Sequence, residues 1–509
     1  TTDSYNALAA AELSKLEQLD TRRRQLSVRL AGWIGSLSAQ LPQLMAVENR
    51  LQEHAFFLTD TAEQSRFLMD EALESLAAEL GVDGGGAFGK LQGNVTSQLK
   101  ASIERDGKMQ ELPITVIRNL SYDPDAEVRR KAYQVEIAAW ASIRTTVAAS
   151  LNAVKGTAIT LARRRGRSSV LETALVQNRI DQATLDALLG AIRESFPVFR
   201  KYLKSKAAKL GHGSRALPWW DMFAPLGESD RRFSWSEARA FIVDKFGQFS
   251  AELGEYAAVA FDQKWIDAEP RDGKRGGEYC MEVLGTEESR ILANFDGSFD
   301  QVSTLAHELG HGFHNHCQRG LEPLRRGAPS TLAETASIFC ETLIAEAALQ
   351  QAGPAEQLMI LEAQLSGATQ VCLDISTRFI ERRAESELSP DEICELMLAA
   401  QAETYGDGLA ADTYHPYMWL WKPHYYSYDH NFYNFPYAFG HLFGLGLYAV
   451  YQQQGESFIP RYKELLRDTG RDYARPLAKR FGIDIGQIEF WRASLDVVAA
   501  QCERFAALG

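Results

Sequence analysis

The chain has 509 residues, a net charge of −13 at pH 7, 45% hydrophobic residues and 24% charged residues. This balance excludes a disordered tail, a collagen-like fibre and a small disulfide scaffold. Its acidity argues against nucleic acid as the main partner, because phosphate binding draws on an excess of Lys and Arg.

In chain order, residues 5–80 carry apolar positions at helical spacing (Leu13, Leu16, Leu19; Phe67, Leu68, Leu73, Leu76) with charges between them. Asp3, Glu12, Lys15 and Glu17 interrupt any apolar leader, so no signal peptide is expected. The Gly-rich stretch 81-GVDGGGAFGK-90 then reads as a flexible connector. Its near match to a phosphate-binding loop fails, since Leu91 stands where Ser or Thr is needed and the preceding stretch reads as helix. Helical spacing resumes over 125–210, and Arg163, Arg164 and Arg165 read as a solvated turn. Beta structure is scarce. Alternation in 278-EYCMEVL-284 and 290-RILANF-295, around 285-GTEES-289, predicts a hairpin. Asp300 is the expected N-cap of a helix over 301–316, and a second helix is expected over 331–347. From His430 to Gln454 no charged residue occurs, but Asn431, Asn434, Pro436, His441 and three glycines favour a buried core segment over a membrane span. The six cysteines form no CxxC pair, which excludes a zinc ribbon and fits a reducing compartment.

The chemistry concentrates in the second half, where eight of ten histidines fall between His307 and His441. Within that window stands 307-HELGH-311. Two histidines at i and i+4 share one helix face, so both imidazoles can address one ion. Glu308 sits beside that face, where a carboxylate can take the proton of a water that zinc acidifies toward a pKa of ~7. A catalytic zinc needs a third protein donor. His314 is too far along the helix, ~7 Å from residue 309 at 1.5 Å per residue, and suits an outer role. Glu334 is the better candidate, because its small apolar neighbours Leu332, Ala333 and Ala336 would leave an unpaired carboxylate costly. Glu341, seven residues on, suits the support of a histidine. Between 421 and 448, six tyrosines crowd around His424, His430 and His441, offering donors for a developing oxyanion.

These motifs carry a resemblance. The stretches 304-TLAHELGHGFH-314, 333-AETASIFCE-341 and 423-PHYYSYDHNFYNFPYAFG-440, supported by 216-ALPWWDMFAPLG-227, 273-GKRGGEYC-280 and 484-DIGQIEFWRASLDVV-498, resemble the M3 peptidases, the thimet oligopeptidase and oligoendopeptidase F group. The resemblance implies a mainly α fold, with two helical lobes flanking a deep channel and a small β-sheet beside the zinc helix. It also implies an N-terminal helical lobe over residues 1–110 and a catalytic domain over 111–509. The implied activity is that of a cytosolic zinc endopeptidase, with one zinc per chain, that cuts short peptides internally as a monomer or homodimer. By the same resemblance, His307, His311 and Glu334 would hold zinc and Glu308 would be the general base. His424 would stabilise the transition state with Tyr433 and Tyr437, and Tyr426 and Tyr428 would follow as substrate contacts. The 290–295 strand would offer its edge to the peptide, through Leu292, Ala293 and Asn294. The rival readings are another zinc hydrolase, such as an aminopeptidase or a protease of folded proteins, and a non-catalytic peptide binder. The last should have lost Glu308 or a ligand, and all are present.

Overall fold

A computed structural model describes residues 6–105, 107–227, 231–271, 274, 277–378 and 387–508. Asp3, and Gly273, Arg275 and Gly276 of the 273–280 motif, lie outside them. The fold is mainly α, with small sheets. Helix α1, Ala7–Ser36, packs on Ala55–Ser65 and leaves Leu26 and Trp33 exposed. Ile34, Leu41 and Ala62 form a small core of their own there.

Next come α2, Glu71–Gly81, a π-type turn at Val82–Gly86, and α3, Ala87–Ser97. The expected flexible connector is therefore a helical passage, kinked at Gly84 (φ −98°, ψ −105°). Strands β1, Lys100–Arg105, and β2, Lys108–Pro113, pair antiparallel. Alternation does not announce this hairpin; its signal is Asp106-Gly107, with Gly107 at φ +71°. Asp106 itself is not among the described residues. The long helix α4, Ala126–Arg164, follows, and just beyond its end Arg165 binds Glu74 of α2 through two hydrogen bonds, 3.0 and 2.7 Å. The basic run thus supplies a tether as well as a solvated turn.

Strands β3, Ile266–Asp267, β4, Tyr279–Val283, and β5, Glu288–Leu292, form a second sheet in the order β3-β5-β4. The β4–β5 hairpin matches the sequence expectation. Its second strand is flanked on both sides only in part. Ile291, Ala293 and Phe295 donate to Trp265, Asp267 and Ala268 carbonyls at 2.9 Å each, while β4 pairs on the other side as far as Leu292. The outer strand on that side is β4. The two-residue β3 is too short for any periodicity to reveal.

The sheet lies against α5, Phe299–Cys317. Ser298, not Asp300, caps it, accepting from Gln301 N at 3.3 Å. Val302, Leu305, Ala306, Leu309 and Phe313 are fully buried at helical spacing. At roughly 1.5–3 kcal/mol for each large apolar side chain removed from water, this stripe fixes the rotation of α5 and leaves its other face to His307 and His311. Two further helices complete the centre: α6, Thr335–Gln351, and α7, Phe435–Gln454. The second expected helix is thus interrupted. A short turn, Ser330–Ala333, precedes Glu334, whose ψ of 3° departs from helix. The uncharged 430–454 stretch lies largely in α7, and no described helix is long and apolar enough to cross a membrane.

Candidate active site

Three helices meet at unusually short range, and glycines permit it. A Cβ on Gly310, inside HELGH, would stand 2.6 Å from the Ala336 carbonyl oxygen and 2.7 Å from Ser337 Cα. A Cβ on Gly440 of α7 would stand 2.7 Å from Glu334 Cβ, and one on Gly444 would stand 2.8 Å from Ile338 Cβ. Glu334 is therefore pinched between α5 and α7. Its position at the break before α6 turns the carboxylate toward α5.

There Glu334 Oε2 lies 3.3 Å from His307 Nε2 and 3.4 Å from His311 Nε2. The two imidazoles stand edge to face, with ring centroids 4.9 Å apart. These donor separations suit a small tetrahedral ion: ligand bonds of ~2.0–2.1 Å at a tetrahedral angle separate donors by ~3.3–3.4 Å. His307, His311 and Glu334 are the one such donor cluster found among the described residues. Ser337 Oγ donates to Glu334 Oε2 at 2.7 Å, a support the sequence carries as Glu-x-x-Ser one turn apart. Glu341 Oε2 meets His307 Nδ1 at 3.1 Å, which leaves Nε2 for the shared point.

The electrostatics ask for positive charge at that point. Burial opposes charge on His307, but Glu334 and Glu341 overturn it and lift its pKa to about 10. Burial likewise works against the Glu334 carboxylate, yet both histidines hold its pKa far below the usual range. A divalent cation meets the same demand with the imidazoles neutral, so the residues fit zinc.

Glu308 is 5% exposed, and its Oε2 is buried without a hydrogen-bond partner. Burial raises its pKa, and Glu334 and Glu278 add to the rise against His307 and His311. Perturbed, buried carboxylates of this kind cluster at functional sites. Glu308 borders a cleft also lined by Glu278, Asp300, His307 and Glu341. Glu278 reads in the sequence as part of a strand motif and Asp300 as a helix cap, and neither is identified there as a cleft residue.

The other candidates separate by position. His424 gathers Tyr433 and Tyr437, with ring centroids 5.2 and 5.8 Å from its own, and both phenols are over a third exposed. Tyr426 is turned inward: it is 6% exposed and donates to the Trp419 carbonyl at 2.9 Å. Tyr428 packs against Gly81 and Gly85. His314 is buried and bonded to Thr469 Oγ1 at 2.8 Å, and it is not one of the three clustered donors. Leu292 and Ala293 are buried within the sheet, and Asn294 donates to the Gly277 carbonyl at 3.1 Å. Leu292 is thus paired on both sides, and Ala293 and Asn294 lie just beyond the end of the β4 pairing.

Known proteins are similar to this chain over much of its length. The chain is similar over 481 residues, at 23% identity, to oligopeptidase PepF of Bacillus subtilis, covering 92% of this chain and 69% of that protein. It is 26% identical over 332 residues to the chromosomal oligoendopeptidase F of Lactococcus lactis subsp. cremoris, covering 63% of this chain and 54% of that one. Among solved structures, oligoendopeptidase-F from Enterococcus faecium superposes with a TM-score of 0.76 at 19% identity, covering 99% of this chain and 87% of that one. A Chlamydophila abortus structure does so with a TM-score of 0.88 at 22% identity, covering 100% and 86%. Residues 38–100 match the oligopeptidase F family model. Residues 119–497, well over half of the chain, match that of peptidase family M3, and the chain belongs to this family of zinc metalloendopeptidases.

Proposed function

We propose that this protein is a zinc-dependent oligopeptidase that hydrolyses internal bonds of short peptides in the cytoplasm, with a catalytic domain over 111–509 and a helical lobe before it. The observation that carries the reading is the buried, unpartnered carboxylate of Glu308 beside the His307–His311–Glu334 donor set. Those three side chains would hold one zinc, which supplies a polarised carbonyl and a water of lowered pKa. The extended peptide lies along the outer edge of β4, hydrogen-bonding as an added strand. Glu308 accepts a proton from the attacking water as the carbon–oxygen bond forms. It then delivers that proton to the leaving amine as the carbon–nitrogen bond breaks. His424, with Tyr433 and Tyr437, donates hydrogen bonds to the oxygen that gains charge, and preorganised donors of this sort contribute a few kcal/mol each.

A peptide library digested with and without a chelator, read by mass spectrometry, tests the function. The expected result is internal cuts in short peptides, lost with the metal, and no cuts in folded proteins. Cuts confined to chain ends would make the protein an exopeptidase. Glu308→Gln should keep its metal and lose most of its turnover; near-normal turnover in that variant would remove Glu308 as the base.

A further inference from the structure

His424 lies in a segment with little secondary structure of its own. One 3-10 turn, Pro423–Tyr426, stands between Trp421 and the start of α7. A donor that must meet a developing charge needs that backbone held from outside. The hold comes from α2 and α3. Gly81, the Gly85 of the π-type turn between those helices, Gly89 and Gln92 all approach this segment, and their contacts place them on one face.

Each residue of that face meets the His424 segment. Gln92, 4% exposed, donates from Nε2 to the Leu420 carbonyl at 2.7 Å. A Cβ on Gly89 would stand 2.5 Å from the Tyr426 carbonyl oxygen. One on Gly85 would stand 2.9 Å from both Cβ and Cγ of Tyr428, and one on Gly81 would stand 2.5 Å from the Tyr428 hydroxyl. The contacts at 420, 426 and 428 bracket His424. Further along the segment, Lys155 Nζ donates to Asn431 Oδ1 at 2.8 Å, and Asn431 Nδ2 donates to the Tyr428 carbonyl at 3.2 Å. The next residue, Phe432, holds a left-handed φ of +53° and turns the chain to Tyr433. Such a conformation persists in a non-glycine residue only where its surroundings impose it.

We propose that the Gly81–Gly85–Gly89–Gln92 face is a seat that positions His424 and its tyrosines, so that a region far upstream of the metal motif sets the rate of the reaction. The proposal rests on the reading of His424 as a donor to the developing oxyanion. The glycines are required because only a face without side chains admits the Tyr428 ring and the Tyr426 backbone so closely. These are positioning residues, acting through His424.

The test measures kcat, KM, metal content and thermal midpoint on a short quenched-fluorescent peptide. Gly81→Ala and Gln92→Leu are each made alone and in a His424→Ala background. Gln92→Leu guards against a Gly81→Ala protein that fails to fold. The expected result for Gly81→Ala is a fall in kcat of about 10- to 100-fold, with KM within about threefold and metal content unchanged. Gln92→Leu should fall severalfold, and neither change should lower the residual rate of His424→Ala further. A kcat within about twofold of wild type for both single variants overturns the seat, as does an equal loss in the His424→Ala background, the mark of a merely structural role. Full activity of His424→Ala alone overturns instead the assignment of His424, and with it the seat's purpose.

Discussion

Glu341 illustrates how much one carboxylate decides. Its contact with His307 Nδ1 fixes the ring orientation and commits Nε2 to the shared point with His311 and Glu334. Glu341→Ala should weaken metal affinity about 10- to 100-fold, read by competition with a chromophoric chelator, and Glu341→Gln should do less harm. An unchanged affinity in both would mean that His307 is oriented by packing alone. His314 tells the opposite story at the other end of α5. Burial, with His311 adding to it, pushes its pKa down to about 4, against about 6.5 for a free imidazole. Between those values the unfolded chain binds the extra proton and the folded chain does not. Stability of the metal-free protein should therefore rise from pH 4 to pH 6.5 and gain nothing more from this group above it. The contribution reaches about 3 kcal/mol. Urea unfolding across that range should show the slope, and His314→Gln should flatten it. The histidine pair one turn apart was legible because the helix period alone dictates its geometry. The inward turn of Tyr426 onto the Trp419 carbonyl and the seating of Tyr428 on glycines more than three hundred residues upstream were not, since neither contact follows from a helical or strand period.

At the scale of elements, the closeness of α5 and α6 is the central fact. Gly310 meets backbone atoms of Ala336 and Ser337, which no change of rotamer can clear. Gly310→Ala should therefore separate the helices, cost about 1–3 kcal/mol of stability as overpacked substitutions do, and loosen the grip on the ion. Metal analysis beside a denaturation curve checks both effects, and a variant with full metal and unchanged stability would refute the close-approach argument. The amphipathic helices and the 279–292 hairpin could be read in the sequence, because burial on one face writes a period into it. The break at Glu334 could not, because 331–347 contains neither Gly nor Pro to mark it and the interruption answers to a partner helix. Nor could the middle position of β5 in its sheet, since the strand that covers it on one side is two residues long.

Across the whole molecule, the small core of Ile34, Leu41 and Ala62 stands apart from the large one that runs from Ile103 to Phe505. Residues 7–65 should accordingly open first, and hydrogen exchange there should be complete long before α5 and α6 exchange. Uniform protection along the chain would contradict this. Loading with zinc acts on the large core alone. At a thousandfold excess over the dissociation constant it adds about 4 kcal/mol, a rise of several degrees or less for a chain this long, visible in calorimetry with and without chelator.

The seam that sets Gly440 on Glu334 and Gly444 on Ile338 joins two neighbouring side chains of the site into one mechanical piece. Tyr437 stands one turn before Gly440 on the same rod, so the backbone that carries its phenol is tied to the backbone that carries the carboxylate. A fluorinated tyrosine at 437 would thus act as a beacon: its magnetic resonance line should shift when the ion enters or leaves, although the ring need never touch it.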